Sequence, residues 1–172
     1  MIGDTGLRLR PLRTEDEDSV RKAHQVMAAE EFPFALSLDR AADWNDYLRI
    51  LAEEVRGVNL AENRVPGTYL VADVGGTIVG RVSVRHTLND FLAHEGGHIG
   101  YGVLPQYRRR GYATEMLRQG LVIIHSLGVD RVLVTCDDDN TGSATVIEAC
   151  GGKLDSRVTA SDGVLIRRYW IG

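Results

Sequence analysis

Alternating apolar and polar residues predict seven short β-strands along the chain. The first run, Leu7-Arg8-Leu9-Arg10-Pro11-Leu12, has the period of two that a half-buried strand shows. Residues 68–72 and 77–86 flank Gly75-Gly76, and a two-residue turn that tolerates positive φ predicts that they form a β-hairpin. The other predicted strands cover residues 97–104, 131–136, 153–159 and 164–171.

Apolar residues at helical spacing predict four helices between these strands. In the second helix, Trp44, Tyr47 and Leu51 fall on one face, as in a helix that packs against a sheet. The predicted helices cover residues 14–31, 42–56, 111–127 and 141–149. The order of elements, β-α-α-β-β-β-α-β-α-β-β, predicts an α+β fold in which about four helices flank a mixed, mostly antiparallel central sheet of about seven strands.

Composition limits what such a chain can be. Its 172 residues predict a single domain over residues 1–172, and the apolar and charged shares, 44% and 26%, are typical of a globular protein. A net charge of −4 argues against a nucleic-acid binder. No apolar run, at residues 1–12 or elsewhere, has the length of a signal peptide or a membrane span, so we expect a cytoplasmic protein with no membrane partner. Cys136 lies in an apolar strand and is expected to pack rather than react.

The segment between the fourth strand and the third helix carries the most specific chemistry. Its sequence is Val103-Leu104-Pro105-Gln106-Tyr107-Arg108-Arg109-Arg110-Gly111-Tyr112-Ala113-Thr114. The first amides of a helix have no partner within it, and together with the helix dipole they bind anions. Gly111 lets a ligand approach the backbone, and the three arginines can neutralise its charge. The pattern predicts a pyrophosphate cradle built from main-chain N–H groups, with a solvated basic turn as the alternative.

Within this segment, Arg108-x-x-Gly111-x-Ala113 resembles the Arg/Gln-x-x-Gly-x-Gly/Ala signature of the GNAT superfamily of N-acetyltransferases. The order of elements over residues 7–171 is similar to the fold of that family. The resemblance implies an enzyme that transfers an acetyl group from acetyl-CoA, its cosubstrate, to a primary amine, with no metal. It also implies that Asn140 contacts the pantetheine arm of the coenzyme. The implied coenzyme-binding residues are Val103, Arg108, Arg109, Arg110, Gly111, Tyr112, Ala113, Thr114 and Asn140.

The same resemblance implies that the amine attacks the thioester directly, which requires a general base. Glu95 and His98, at the start of the fourth strand, are the candidate catalytic bases, and Asp137 is a further one. Main-chain N–H groups near Gly102 and Val103 would polarise the thioester carbonyl.

The usual general acid of the family is missing from its place. A tyrosine often stands seven residues after the asparagine that contacts pantetheine, and here that position is Ile147. Ser143, Tyr101, Tyr112 or a water could protonate the leaving thiolate instead. A chain with the coenzyme loop but without a working acid or base would be a non-catalytic acyl-CoA-binding or sensor module, and this alternative stays open.

The run His94-Glu95-Gly96-Gly97-His98 matches the H-E-x-x-H motif of zinc peptidases. In that motif a helix brings both histidines to one face, whereas two central glycines and the apolar run that follows predict an extended segment here. Residues four apart in an extended chain are separated by about 13 Å, too far to share one zinc ion. We therefore expect no metal site and no zinc hydrolase.

The acceptor is expected to be a small-molecule or peptide amine, which the sequence does not specify further. The acidic pairs Glu30-Glu31 and Glu53-Glu54 suit a cationic amine. The last strands are a plausible dimer surface in this family, so a homodimer is a possible assembly. Gly100 and Gly102 inside a strand predict a bulge there, or close approach by another backbone or a ligand.

Overall fold

The computed structural model describes residues 4–172, and it contains the seven strands and four helices that the sequence predicts. The strands are β1 Leu7–Arg10, β2 Gly67–Val74, β3 Thr77–Arg85, β4 Ile99–Val103, β5 Val132–Asp137, β6 Lys153–Thr159 and β7 Leu165–Ile171. The helices are α1 Glu17–Ala28, α2 Trp44–Arg56, α3 Tyr112–Ser126 and α4 Thr141–Ala149. Helix α1 ends three residues earlier than predicted, because Phe32 N–H turns back to Met27 O (3.1 Å) and Glu31 has a φ of +56°.

The strands form two antiparallel sheets, with the orders β1-β2-β3-β4 and β5-β7-β6, where one mixed sheet was expected. Gly75 and Gly76 have φ values of +59° and +90°, and they form the predicted turn between β2 and β3. Within residues 4–172, no ladder joins β4 to β5. The two sheets meet where His98 N–H donates to Leu133 O (2.7 Å). Beyond this contact, the unpaired edges of β4 and β5 leave a gap between the sheets.

Hydrophobic side chains pack on both faces of the four-stranded sheet. Val71 and Ala72, neighbours in β2, point to opposite faces and join different cores. One core lies against α3 and α4 and includes Met116 and Ile147, while the other lies against α1 and α2 and includes Tyr47. The gap between β4 and β5 therefore opens on one side toward α3 and α4 and on the other toward α1 and α2.

Two predictions about the whole chain are not decided by this fold. The single domain over residues 1–172, of which the first three lie outside the described residues, stays a prediction. So does the homodimer, although β6 is an outer strand of its sheet. Among residues 4–172, the structure has no helix that is both long enough and apolar enough to cross a bilayer.

Candidate functional site

The gap between β4 and β5 exposes main-chain groups that have no strand partner. At the end of β4, Leu104 N–H donates to Val79 O (2.8 Å), so the even-numbered residues of this strand are hydrogen bonded to β3. The odd-numbered residues, including Tyr101 and Val103, direct their N–H and C=O groups into the gap. Main-chain N–H groups near Gly102 and Val103 were expected to polarise the thioester carbonyl. The N–H of Gly102 pairs with β3, whereas Val103 N–H faces the gap.

The loop before α3 presents a run of free main-chain amides. The N–H groups of residues 109–114 have no acceptor in the described part of the chain, and the first helical bond runs from Glu115 N–H to Gly111 O (3.3 Å). Arg109 and Gly111 have positive φ values of 64° and 80°. Left-handed residues in such a loop turn successive N–H groups toward one concave side, as in anion-binding nests. Six adjacent donors at a helix N-terminus fit the pyrophosphate cradle expected from the sequence.

Arg108 is placed differently from its expected role as a phosphate ligand. Its Nε donates to Val103 O (3.0 Å), and its two terminal nitrogens donate to the carboxylate of Glu30 at 3.0 and 2.6 Å. The side chain thus holds the loop against β4 and the end of α1. Arg109 and Arg110 are exposed and form no ion pair with residues 4–172, so they remain available to neutralise a bound anion.

The opposite wall of the gap is formed by the start of α4. Asn140 caps this helix, because its Oδ1 accepts the N–H of Ser143 (3.0 Å). Asn140 is exposed, and its Nδ2 makes no hydrogen bond to residues 4–172. Contact with the pantetheine arm stays a prediction, with Nδ2 as the donor that is left for it.

A pair of hydroxyl groups lies between β4 and α4. The hydroxyl of Tyr101 is 2.7 Å from Oγ of Ser143, so two of the residues considered as general acids form one hydrogen-bonded unit. Burial raises the pKa of Tyr101 to about 12. A phenol with this pKa donates a hydrogen bond to a thiolate rather than losing its proton outright. Two other positions were considered for the general acid. Ile147, which replaces the usual tyrosine, is fully buried, and Tyr112 packs against the same core.

His98 has a structural environment. Its ring is buried, and Nδ1 accepts the N–H of Leu133 (2.9 Å), so the ring proton is on Nε2. Burial and the nearby Arg85 lower the pKa of His98 and keep the ring neutral. Neither nitrogen then has a free lone pair for an acceptor proton. The geometry therefore favours His98 as the link between the two sheets over a role as general base.

Glu95 keeps a partly exposed carboxylate beside the loop that joins β6 and β7. The carboxylate accepts the N–H of Ser161 (3.2 Å) and its hydroxyl (3.3 Å). The main-chain carbonyl of Glu95 accepts the hydroxyl of Thr135 (2.8 Å), which places Glu95 beside β5. Asp137, at the end of β5, has no hydrogen-bond partner for its carboxylate in the described residues, and burial raises its pKa. Glu95 and Asp137 are thus two carboxylates near the gap that form no ion pair with residues 4–172.

The zinc-peptidase motif is not assembled. Residues 94–96 belong to a single π-helical turn, Leu92–Gly96, so the expected extended conformation is wrong for this part of the motif. His94 Nε2 lies 2.9 Å from Thr159 O, whereas His98 holds β5, so the two rings face different elements. Over residues 4–172, no three side chains of His, Cys, Asp or Glu come together as a metal site.

The two glycines of β4 make room for side chains. A Cβ at Gly102 would overlap the ring of Phe32, and one at Gly100 would lie 3.1 Å from the guanidinium of Arg85. A bulge, another backbone or a ligand was expected at these glycines, and the structure instead places side chains of the α1–α2 face there. Cys136 is buried and burial raises its pKa to about 11, which fits the packing role expected for it.

The sequence of this chain is similar to a family model and to a curated protein. A family model described as an acetyltransferase (GNAT) domain matches residues 6–153. An acetyltransferase of Yersinia pestis (strain Pestoides F) is 30% identical over 95 residues, which make up 55% of this chain. This match spans 64% of the length of that relative, less than two thirds.

Solved structures share the fold over nearly the whole chain. RimJ of Mycobacterium smegmatis in complex with CoA-disulfide is 20% identical, with a TM-score of 0.70 over 96% of this chain and 81% of its own. YncA, a putative acetyltransferase of Salmonella typhimurium solved with acetyl-CoA, is 14% identical, with a TM-score of 0.62 over 96% of this chain and 93% of its own. The family model covers the gap and the free amides before α3, and on that match the chain belongs to the GNAT acetyltransferase family.

Proposed function

We propose that this chain is an N-acetyltransferase that uses acetyl-CoA to acetylate a primary amine of a small molecule or peptide. The observation that carries the proposal is the run of six free amides at residues 109–114, directly beside the gap between β4 and β5. The Mycobacterium and Salmonella structures are described with coenzyme A species, which supports the same ligand here.

The free amides would hold the pyrophosphate of the coenzyme, with Arg109 and Arg110 offsetting its charge. The pantetheine arm would run through the gap, where Asn140 Nδ2 can donate to it. A carbonyl oxygen in this gap can accept the hydrogen bond of Val103 N–H, which stabilises the negative charge that develops during acyl transfer.

In the proposed reaction the acceptor nitrogen forms a C–N bond to the acetyl carbon, and the C–S bond breaks with its electrons on sulfur. Glu95 accepts the proton that the nitrogen loses, directly or through a water. The Tyr101–Ser143 pair supplies a hydrogen bond to the departing thiolate, which takes its proton from solvent. His98 does not act as the base, because its Nδ1 accepts the N–H of Leu133 and its Nε2 carries the ring proton.

The replacement Tyr101→Phe is expected to lower kcat about 10- to 100-fold, because a hydrogen bond to a charged group is lost from the transition state. The KM for acetyl-CoA is expected to change little, since the coenzyme is held mainly at residues 109–114. Steady-state thiol release measures both constants. Ser143→Ala tests the other member of the pair, and an unchanged kcat in both variants would remove this pair from the mechanism.

The proposed function is tested by measuring thiol release from acetyl-CoA with a panel of amines, alongside calorimetric titration of the coenzyme. We expect micromolar or tighter coenzyme binding and turnover with at least one amine. Coenzyme binding without turnover on any amine would favour the non-catalytic sensor module. If the chain neither binds the coenzyme nor acetylates any amine, the coenzyme site proposed at residues 109–114 is wrong.

A further inference from the structure

A cavity of about 120 Å³ lies on the face of the four-stranded sheet that α1 and α2 cover. The strands β2 and β3 form its floor, through Gly67, Tyr69 and Ser83. Three charged side chains reach it, and they are Glu54, Arg64 and Arg85. The chemistry of the cavity depends on which of these charges is already paired within the protein.

The single carboxylate of this cavity lining is neutralised by its neighbours. Glu54 Oε1 accepts the hydroxyl of Ser37 (2.7 Å) and Nη1 of Arg40 (3.1 Å). Arg64 donates from Nη2 to Ser37 (3.2 Å) and forms no ion pair with residues 4–172. The pairing leaves an excess of positive charge at the cavity.

Arg85 is the less exposed of the two unpaired arginines, Arg64 and Arg85. Its Nη1 donates to the main-chain carbonyls of Gly96 (3.2 Å) and Gly97 (3.4 Å), while its Nε and Nη2 have no acceptor in the described chain. Burial, followed by the charge of Arg64, lowers the pKa of Arg85 to about 10. A cation that is partly buried without a counter-charge is unfavourable, and an anion in the cavity would relieve this.

A second arginine on the same face strengthens the positive field. Arg81 points to this side of β3, two positions from Ser83, and it is 3% exposed. Its Nη2 donates to Pro33 O (2.8 Å), and its buried Nε has no hydrogen-bond partner in the described part of the chain. No carboxylate among residues 4–172 forms an ion pair with Arg81 or Arg85, so the local charge is opposite in sign to the net charge of −4.

The cavity lies within reach of the proposed reaction site. The guanidinium of Arg85 packs beside Gly100 of β4, and Val103 is three residues further along this strand. Three residues of a strand span about 10 Å. An acceptor bound at both places would have its amine and its anionic group separated by several bonds.

We infer that the acceptor carries an anionic group, a carboxylate or a phosphate, which Arg85 binds in this cavity while the amine lies in the gap. The inference rests on the proposed function and specifies its acceptor. Such an acceptor differs from the cationic amine that the acidic residues suggested. Glu54 is already paired with Arg40, and Glu30 is already paired with Arg108.

The test compares 5-aminopentanoate with pentylamine, which has a similar chain but no carboxylate, and includes 3-aminopropylphosphonate to separate the two anions. Each compound is titrated calorimetrically into the full chain saturated with coenzyme A. We expect the anionic amines to bind about 10- to 100-fold more tightly than pentylamine. The replacement Arg85→Met should reduce this preference to about twofold or less, and Arg85→Lys should retain part of it.

Two further variants keep the test decisive. Arg64→Met should weaken the preference less than Arg85→Met, because Arg64 is exposed. Arg56→Gln removes an exposed arginine of α2 that pairs with no carboxylate among the described residues, and it should leave the preference intact. If Arg85→Met fails to fold, the preference for anionic amines over pentylamine is measured in Arg85→Lys and Arg64→Met instead.

The outcomes separate this inference from the proposed function. If amines are acetylated without any preference for anionic ones, or if the preference survives in Arg85→Met, the anion site is wrong and the acetyltransferase function stands. If anionic amines bind through Arg85 and no amine is acetylated, the anion site stands and the proposed function is wrong.

Discussion

The replacement Gly111→Glu is expected to weaken acetyl-CoA binding at least about 100-fold, as measured by calorimetric titration. The side chain would enter open space, since a Cβ at Gly111 has no protein atom within 4 Å. Gly111 lies in the middle of the free amides of residues 109–114, which have no acceptor among residues 4–172. The new carboxylate would occupy these amides and repel the phosphates, and the loss of two charge-assisted hydrogen bonds alone corresponds to about 3 kcal/mol or more.

Gly128→Glu is a matched control at the other end of α3. Gly128 has a φ of +87°, close to the +80° of Gly111, and its Cβ would also have no neighbour within 4 Å. Both substitutions therefore impose similar backbone strain, which thermal unfolding will measure. Only Gly111→Glu should lose the coenzyme, and equal affinity in the two variants would show that the loop does not bind the phosphates.

The replacement Glu95→Gln is expected to lower kcat about 10²- to 10⁴-fold, the usual contribution of a general base. Glutamine keeps an oxygen that can accept the hydrogen bonds of Ser161, so the local structure should be preserved. Coenzyme affinity should not change. Activity should recover in part as the pH rises, because a primary amine with a pKa near 10 then loses its proton without help.

Two carboxylate variants control this experiment. Glu62→Gln removes an exposed charge that forms no ion pair within residues 4–172, and it should leave kcat unchanged. Asp137→Asn tests the other carboxylate near the gap, whose pKa is raised by burial and by Asp139 and Asp162. If kcat falls strongly in Asp137→Asn but stays normal in Glu95→Gln, the general base is Asp137 instead.

Local sequence patterns predicted the secondary structure closely because the signals that set it are local. Lys153–Thr159 and Thr141–Ala149 have the predicted bounds, and Gly75-Gly76 forms the predicted turn. The free amides of residues 112–114 were also predictable, since a helix cannot pair its own first N–H groups. Gly111 at the start of α3, where a ligand can approach the backbone closely, further identified this loop.

Roles that depend on distant residues could not be predicted in this way. Arg108 was expected at the phosphates, but it is paired with Glu30, 78 positions earlier in the chain. His98 was a candidate base, but its Nδ1 holds Leu133, which is 35 positions away. No periodicity or spacing encodes such pairings, because they depend on how the elements pack.

The sequence alone predicted the seven strands, the four helices and the free amides before α3, and it carried the family resemblance, since each follows from short-range spacing or from groups that a helix leaves unpaired. The separation of the sheets, the pairing of Tyr101 with Ser143 and the cavity around Arg85 required the tertiary structure. Each of these joins side chains or strands far apart in the chain, and only packing of the helices against the two sheets decides which of them meet.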